Sequence, residues 1–478
     1  MSERCDVCVV GGGPAGIVFA ARMAQLGHEV CLIERRATPR NRAAESLTPG
    51  IWPLLDALGA RAAVEAGGFA PGRRWAVRWE TDRTEWRDHR GEAGLLVDRN
   101  RFDAVLLAFA RAAGVRVLQP AVMRRYSYGD GHWQMSVASD SREVALSAAL
   151  LADASGRAGA LRGRRQATGA RTIALYAGWR GAALPENSRI VAAAHGWLWG
   201  LPQAPGLYTT MAFVDAGMVG KNGAEPLLRR LMAECGLMDG AGQADLATPV
   251  RAADATPYLD DEPIGAAHIK LGEAALALDP LSSTGVQKSM QSALAAAVAV
   301  HTMLAQPQRT ETAREFYRDL LRDAAARHQR WAGAYYQTAA NRHDTPFWRR
   351  RAADEATAAP SLPPAVDAGR VSQGPISQGL RGRPADLMVR LSPAAEIVDT
   401  PCVVGEFIAL KPALRHPSLA GPVAFLGGHE LAPLLGAIAG CTTLVDLMRA
   451  WPATIPFSDR PVIADWLLRH QVVVPLIP

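Results

Sequence analysis

Two apolar rhythms divide the chain. Near the N-terminus an unbroken run (Val7, Cys8, Val9, Val10) stops at three glycines. An amphipathic stretch then fills 17–26, and a second apolar strand, 29–33, unbroken from Val30, ends at Ile33. Short unbroken runs predict buried strands and the 3.6 period between them predicts a helix, so residues 1–40 read as one β-α-β unit. Helices are expected at 54–58 and 103–113, the second after the start signal Asp98, Arg99, Asn100. A short apolar strand follows at 115–118, and 133–137 and 144–151 alternate like antiparallel strands. A second strand-rich block covers 70–92 and 173–214, with runs at 173–179, 190–194 and 207–214. Helical periodicity returns at 289–304 and continues over 311–338.

Residues 353–387 break both rhythms, being rich in Ala, Pro, Gly and Ser with prolines at 360, 363, 364, 375 and 384. Such a stretch predicts a linker, assigned to 353–399. Beyond it the pattern reads strand (403–410), three helices (430–439, 443–450, 461–470) and strand (472–476), a winged-helix-like order. The expected class is therefore α/β. A Rossmann-like dinucleotide-binding domain (1–70, 93–170 and 255–305) receives an inserted antiparallel β-sheet substrate domain (71–92 and 171–254). A helical segment at 306–352, the linker and a C-terminal module at 400–478 follow.

The composition, 49% hydrophobic and 21% charged over 478 residues, suits a globular protein of two to four domains. The first strand begins within a few residues of Met1, and the most apolar helical run, 293–305, is too short to span a bilayer. A cytoplasmic location without membrane association is expected. The six cysteines are too few for a disulfide framework, and Cys5 and Cys8, spaced C-x-x-C inside a strand, read as core thiols. The net charge of +6 is carried by 48 arginines against four lysines (221, 270, 288, 411). Those arginines are scattered, and residues 401–478 hold five basic and five acidic side chains, so no nucleic-acid partner is expected. A docking role toward a protein is expected of the module. No metal is expected.

Gly11, Gly13 and Gly16 form a Gly-x-Gly-x-x-Gly turn between the first strand and helix, with Ala15 inside it. Gly11 permits the tight turn, Gly13 admits a pyrophosphate, and Gly16 lets helix and strand pack. Glu34 ends the second strand, placed to accept hydrogen bonds from a ribose. An adenine dinucleotide on the helix N-terminus follows from this order. Two later segments make that dinucleotide FAD. One is 151–157, containing Asp153. The other is 271–286, where Asp279, Thr284 and Gly285 precede a helix whose free N–H groups suit the flavin N1–C2=O edge.

Over about residues 5–300 the chain resembles the class A flavoprotein monooxygenases and the related flavin-dependent tryptophan halogenases. Glu45-Ser46-Leu47 resembles their stretch after the first β-α-β unit, Arg99-x-x-Phe102-Asp103 their R-x-x-F-D helix start, and 279–285 the halogenase form of the third motif. Gly272-Glu273 stands where the family has Gly-Asp, one methylene longer. The resemblance implies contacts to FAD from Gly11, Gly13, Ala15, Gly16, Glu34, Arg35, Ser46, Arg99, Val122, Asp153, Asp279, Thr284 and Gly285. It also implies a transient NADH or NADPH reductant, O2 as co-substrate, and oxygen transfer from a flavin C4a-hydroperoxide.

Trp197-Leu-Trp199-Gly-Leu-Pro202 resembles the halogenase W-x-W-x-I-P motif. The lysine that halogenases need shortly after the segment at 45–47 is missing, since no lysine precedes Lys221. Arginine, permanently protonated, does not replace it. Hydroxylation is therefore favoured over halogenation. A narrower resemblance, in domain layout and motif style, is to the flavoprotein monooxygenases of tryptophylquinone biogenesis, which serve quinohemoprotein amine dehydrogenase. It implies dihydroxylation of a tryptophan in a protein precursor. Trp197, Trp199 and the neighbouring His195 are the candidate catalytic residues. The aromatic run Trp331, Tyr335, Tyr336, Phe347 and Trp348 reads as core, with a substrate entrance as the other reading. A small-molecule indole hydroxylase and a flavin-bearing scaffold remain as alternatives.

Overall fold

The computed structural model describes residues 3–352 and 387–476, apart from 38–43, 73, 90, 140–141, 182–183, 205, 221–222, 239–243 and 439–441. Strand β1 (Glu3–Val10), helix α1 (Pro14–Gln25) and strand β2 (Val30–Ile33) build the expected unit, with β1 and β2 parallel and Val7 opposite Val30. β1 lies centrally in a seven-stranded sheet. The strand Arg116–Leu118 flanks β2, and the strand Arg142–Asp153 runs parallel to β1 on its other side. The strands His132–Ser139 and Ala121–Gly129 extend that sheet antiparallel. β2 is buried along its whole length, which explains its unbroken apolar run.

The second sheet has eight strands. Its body is β3 (Arg74–Arg78), β4 (Thr172–Arg180), β5 (Ser188–Ala193), β6 (Gly196–Ala204) and β7 (Leu207–Asp215), in the order β4-β7-β6-β5-β3. It is antiparallel as expected except at one seam, where β3 and β5 run parallel with Val77 opposite Ile190. Each face covers its own core. One packs Leu198, Ala212 and Val214 against the helix Ala224–Cys235. The other gathers Val77, Trp197, Trp199 and Phe213 with Leu281 and residues 331–348.

Helices α2 (Gly285–Ala305) and α3 (Thr310–Ala340) replace the expected helical segments, α3 being continuous over 31 residues. Backbone contacts divide the chain into two units: Met1–Ala297 with Tyr317–Pro363, and Val298–Phe316 with Pro364–Pro478. The second unit thus claims the end of α2, because the Thr302 hydroxyl accepts from the Ile408 N–H (2.8 Å) and His301 packs on Phe407 (4.7 Å). The module was expected to begin at 400. Most of the expected linker, 353–386, lies outside the described residues. Of its remainder, Met388–Leu391 and the start of Glu396–Val404 are strands.

Within that unit the strand expected at 403–410 is a hairpin, Glu396–Val404 against Phe407–Arg415. Gly405 takes a left-handed φ of +61° at its turn. Three short helices (Ala432–Gly436, Leu444–Ala450, Arg460–Arg469) enclose a core of Val389, Leu431, Leu447 and Leu467. Among the described residues no helix is long and apolar enough to cross a membrane. Cys8 is buried and Cys5 half-buried, both free, and burial pushes the Cys5 thiol up to about 12.

Candidate active site

Three separated segments meet at the ends of α1 and α2. In the first, Gly11 has φ +113° and a Cβ there would stand 2.4 Å from the Ala154 carbonyl oxygen. A Cβ on Gly16 would stand 2.1 Å from the Gly11 oxygen. Both contacts are too short for any side chain. Gly13 differs, since its Cβ would meet nothing within 4 Å. The outer glycines close the turn against the sheet, and the middle one keeps space at the N-terminus of α1. Gly13 gives that helix no side-chain cap and its first turn no acidic residue, so its leading N–H groups are left for an anion. This cradle, beside Ala15, fits the pyrophosphate of a dinucleotide.

Glu34 stands over the turn. Its carboxylate accepts from the Gly12 N–H (2.7 Å) and the Arg36 N–H (2.9 Å), while its own backbone is pinned between Leu118 and Ala121. Arg35 beside it is exposed, and Val122 lies half-buried on the neighbouring strand. Asp153 is directly opposite Val10 in the sheet, fully buried. Its carboxylate accepts from Ser155 N (2.9 Å), Ser155 Oγ (2.6 Å) and Leu161 N (2.8 Å). It therefore shapes the turn that presents Ala154 to Gly11. Ser46 sits on a short strand opposite Leu96. Arg99 opens the helix Arg99–Ala112, capped by Asp98, and is held between Glu45 (2.5 Å) and Asp103 (3.3 Å). Those two carboxylates keep its guanidinium charged despite burial.

Gly272 joins the segments. It has φ +53°, and a Cβ would stand 2.9 Å from Ala15 Cβ and 3.3 Å from Ser289 Oγ, touching the first turns of α1 and α2 together. Glu273 next to it is exposed and pairs with Arg157 (3.4 Å). Further on, Asp279 caps a short 3-10 turn (Pro280–Ser282), Thr284 is buried with its hydroxyl 2.6 Å from Ser282 Oγ, and Gly285 starts α2 with open space around it.

The aromatic face of the second sheet connects to that loop. Trp197 stacks on Phe213 (4.0 Å between centroids) and meets Trp79 edge-on (6.2 Å). Its indole N–H donates to the Tyr336 hydroxyl (3.2 Å), which donates to Asp279 Oδ1 (2.9 Å). His328 Nε2 donates to the Asp279 carbonyl oxygen (2.8 Å), and burial lowers this imidazole to about 4, so the ring is neutral with its proton on Nε2. Loss of water raises the Asp279 carboxyl above the usual carboxylate range. Trp199 is buried in the same core.

His195 is exposed on the turn between β5 and β6, so the structure gives no support to a catalytic His195. A side chain next to the motif in sequence falls outside the core because the hairpin reverses there. Asp279 is held by His328 and Tyr336 on α3, about 50 residues downstream, and no local signal marks them. The aromatic run is core as read, for Trp331, Tyr336, Phe347 and Trp348 are all buried.

Strand β3 and the residue after it divide their side chains between two faces in the stretch after 45–47 where halogenases need a lysine. Trp75, Val77 and Trp79 alternate onto the face that carries Trp197 and Leu281. Arg78 instead donates to the Cys235 carbonyl, and Arg74 lies over Trp86 (4.2 Å).

Comparison with known proteins agrees with this geometry. The family model for tryptophan halogenase matches residues 88–371, and that for FAD-dependent oxidoreductases matches 6–169. The chain is 31% identical to tryptophan 2-halogenase of Chondromyces crocatus over 382 residues, 73% of this chain and 70% of that protein. In structure it is similar to the flavin-dependent halogenase CmlS (TM-score 0.79, 20% identity, 99% and 96% of the two chains). It is also similar to QhpG, described as a peptidyl tryptophan dihydroxylase essential for tryptophylquinone cofactor biogenesis (TM-score 0.73, 25% identity, 98% and 99%).

Proposed function

The chain belongs to the tryptophan halogenase family of FAD-dependent enzymes, and from that premise we propose that it hydroxylates an indole ring rather than halogenating it. The observation that carries this reading is the inner face of β3, where Trp75, Val77 and Trp79 stand and no amine does. The halogenase resemblance calls for a lysine in this window to hold hypohalous acid. Reduced FAD with O2 supplies the electrophilic oxygen, NADH or NADPH supplying the electrons. The residues of the chain do the rest. The Gly13 cradle and the N-terminus of α1 would hold the pyrophosphate, and Arg99, Thr284 and Gly285 would contact the FAD. The wall of Trp79, Trp197 and Phe213 keeps water from the reacting edge.

The substrate we infer is a tryptophan within a polypeptide, hydroxylated twice to give a quinone precursor. Likeness to a peptidyl tryptophan dihydroxylase over nearly the full length of both chains, second unit included, supports it. That second unit also exposes Ile397, Val403 and Leu410, apolar surface suited to gripping a polypeptide. NADH consumption by the flavin-loaded protein tests this. It should be slow alone or with free tryptophan and severalfold faster with a tryptophan-bearing polypeptide. Equal stimulation by free indoles points to a small-molecule hydroxylase, and no stimulation by either to a flavin-bearing scaffold. The 31% identical halogenase favours a second reading, halogenation, which a halogen-bearing product establishes.

A further inference from the structure

Within the aromatic core of the second sheet, Trp79, Trp197 and Trp348 each place their indole N–H on an oxygen: the Tyr335 carbonyl (3.0 Å), the Tyr336 hydroxyl (3.2 Å) and the Ala193 carbonyl (2.9 Å). Trp331 does not. Its ring is 5% exposed, and its Nε1–H is buried without an acceptor among the described residues. A buried donor left unpaired is unfavourable in a native fold. Trp331 Nε1 is one of six buried side-chain atoms without a partner among the described residues, and the one whose ring packs on His328 beside the Asp279 loop, where an acceptor from outside the chain would satisfy it.

The place of Trp331 says where that acceptor arrives. It stands one turn after His328 and five residues before Tyr336, the two side chains that hold Asp279. Its ring packs against His328 (5.6 Å) and Tyr335 (4.7 Å) and shares a core with Leu281 and Trp197. An acceptor that comes here lies between the Asp279 loop and the Trp197 wall. An indole N–H takes a neutral, planar oxygen best, and it does not carry the charge that would select a carboxylate.

We propose that Trp331 is a binding residue, donating its indole N–H to a carbonyl oxygen of the molecule bound between the Asp279 loop and the Trp197 wall. Two carbonyl sources fit: a ring carbonyl of the flavin, or an amide carbonyl of the tryptophan substrate. The second source rests on the proposed function and the first only on FAD binding.

Two replacements separate the hydrogen bond from the shape of the ring. One is W331F. The other puts 3-benzothienylalanine at position 331, which keeps the bicyclic outline and lacks the N–H. Both are measured for FAD affinity by flavin fluorescence, and, with FAD bound, for binding of N-acetyl-tryptophanamide and of indole by perturbation of the flavin spectrum. If the flavin supplies the carbonyl, both replacements weaken FAD by about fivefold. If the substrate supplies it, FAD affinity holds, the amide weakens by about fivefold and indole, which has no carbonyl, is unchanged. Unchanged FAD and amide affinity in the benzothienyl protein overturns the proposal, and so does an equal loss for amide and indole with FAD unaffected. Failure of the wild type to bind either indole compound counts against the tryptophan reading, and the FAD comparison then decides Trp331 alone.

Discussion

Glycine has two different jobs in the dinucleotide turn, and single substitutions separate them. Gly16 is glycine because the Gly11 carbonyl occupies the place of a Cβ, whereas a Cβ on Gly13 meets nothing within 4 Å, which is the space proposed for the pyrophosphate. Gly13→Val should therefore give a folded protein with an unchanged apoprotein melting temperature that purifies colourless. Gly16→Val should lose stability as well as flavin. The ratio of flavin to protein absorbance and a thermal melt check both. His328 supplies a pH signature. Its imidazole titrates near 6.5 when unfolded and about 4 when folded, so the unfolded chain binds more protons between those values. The stability it contributes is present above pH 6.5 and is lost as pH falls toward 4. H328Q, which keeps a donor for the Asp279 carbonyl, should flatten that part of the melting-temperature profile relative to wild type. An unchanged slope would show that His328 is not neutral in the fold. The glycines were legible from sequence because backbone sterics act locally. His328 was not, because its reason for being there is a carbonyl 49 residues away.

At the scale of elements, α3 ties the aromatic sheet to the loop before α2. Tyr336 is the link, receiving from Trp197 and donating to Asp279. Y336F strands a buried donor and removes a partner from a buried acceptor, and should cost about 1–3 kcal/mol in chemical denaturation. Y335F is the control. Tyr335 meets Trp79 through its backbone carbonyl, which the substitution keeps, and the loss should stay under about 0.5 kcal/mol. The β-α-β unit, three strands of the inserted sheet (173–179, 190–194 and 207–214) and both long helices could be read from hydrophobic period, whereas the strand Gly196–Ala204 between them was not. The hairpin at 396–415 was half-read, since its apolar residues run on through Gly405, whose left-handed turn is the break. The parallel seam between β3 and β5 could not be read, because pairing partners 113 residues apart leave no local trace.

At the scale of the molecule, the two units predict a division of labour between chemistry and grip. One indole in a pocket distinguishes poorly between tryptophans of a polypeptide, so a second contact has to supply selectivity. Ile397 and Leu410, about half exposed on the hairpin of the second unit, are the residues to test. I397D with L410D should raise KM for a polypeptide substrate severalfold, with kcat and FAD affinity unchanged. An unaltered KM would place the grip elsewhere. The unit boundary itself was only partly legible, because the hydroxyl of Thr302, inside a helix that reads as continuous, is what joins the end of α2 to Ile408. Hydroxylation on a halogenase-family scaffold is decided by the mass of a tryptophan-bearing polypeptide after turnover by the flavin-loaded protein with NADH, isotopically labelled O2 and bromide. Labelled oxygen on the indole with no bromine is the predicted product, and brominated tryptophan would show a halogenase.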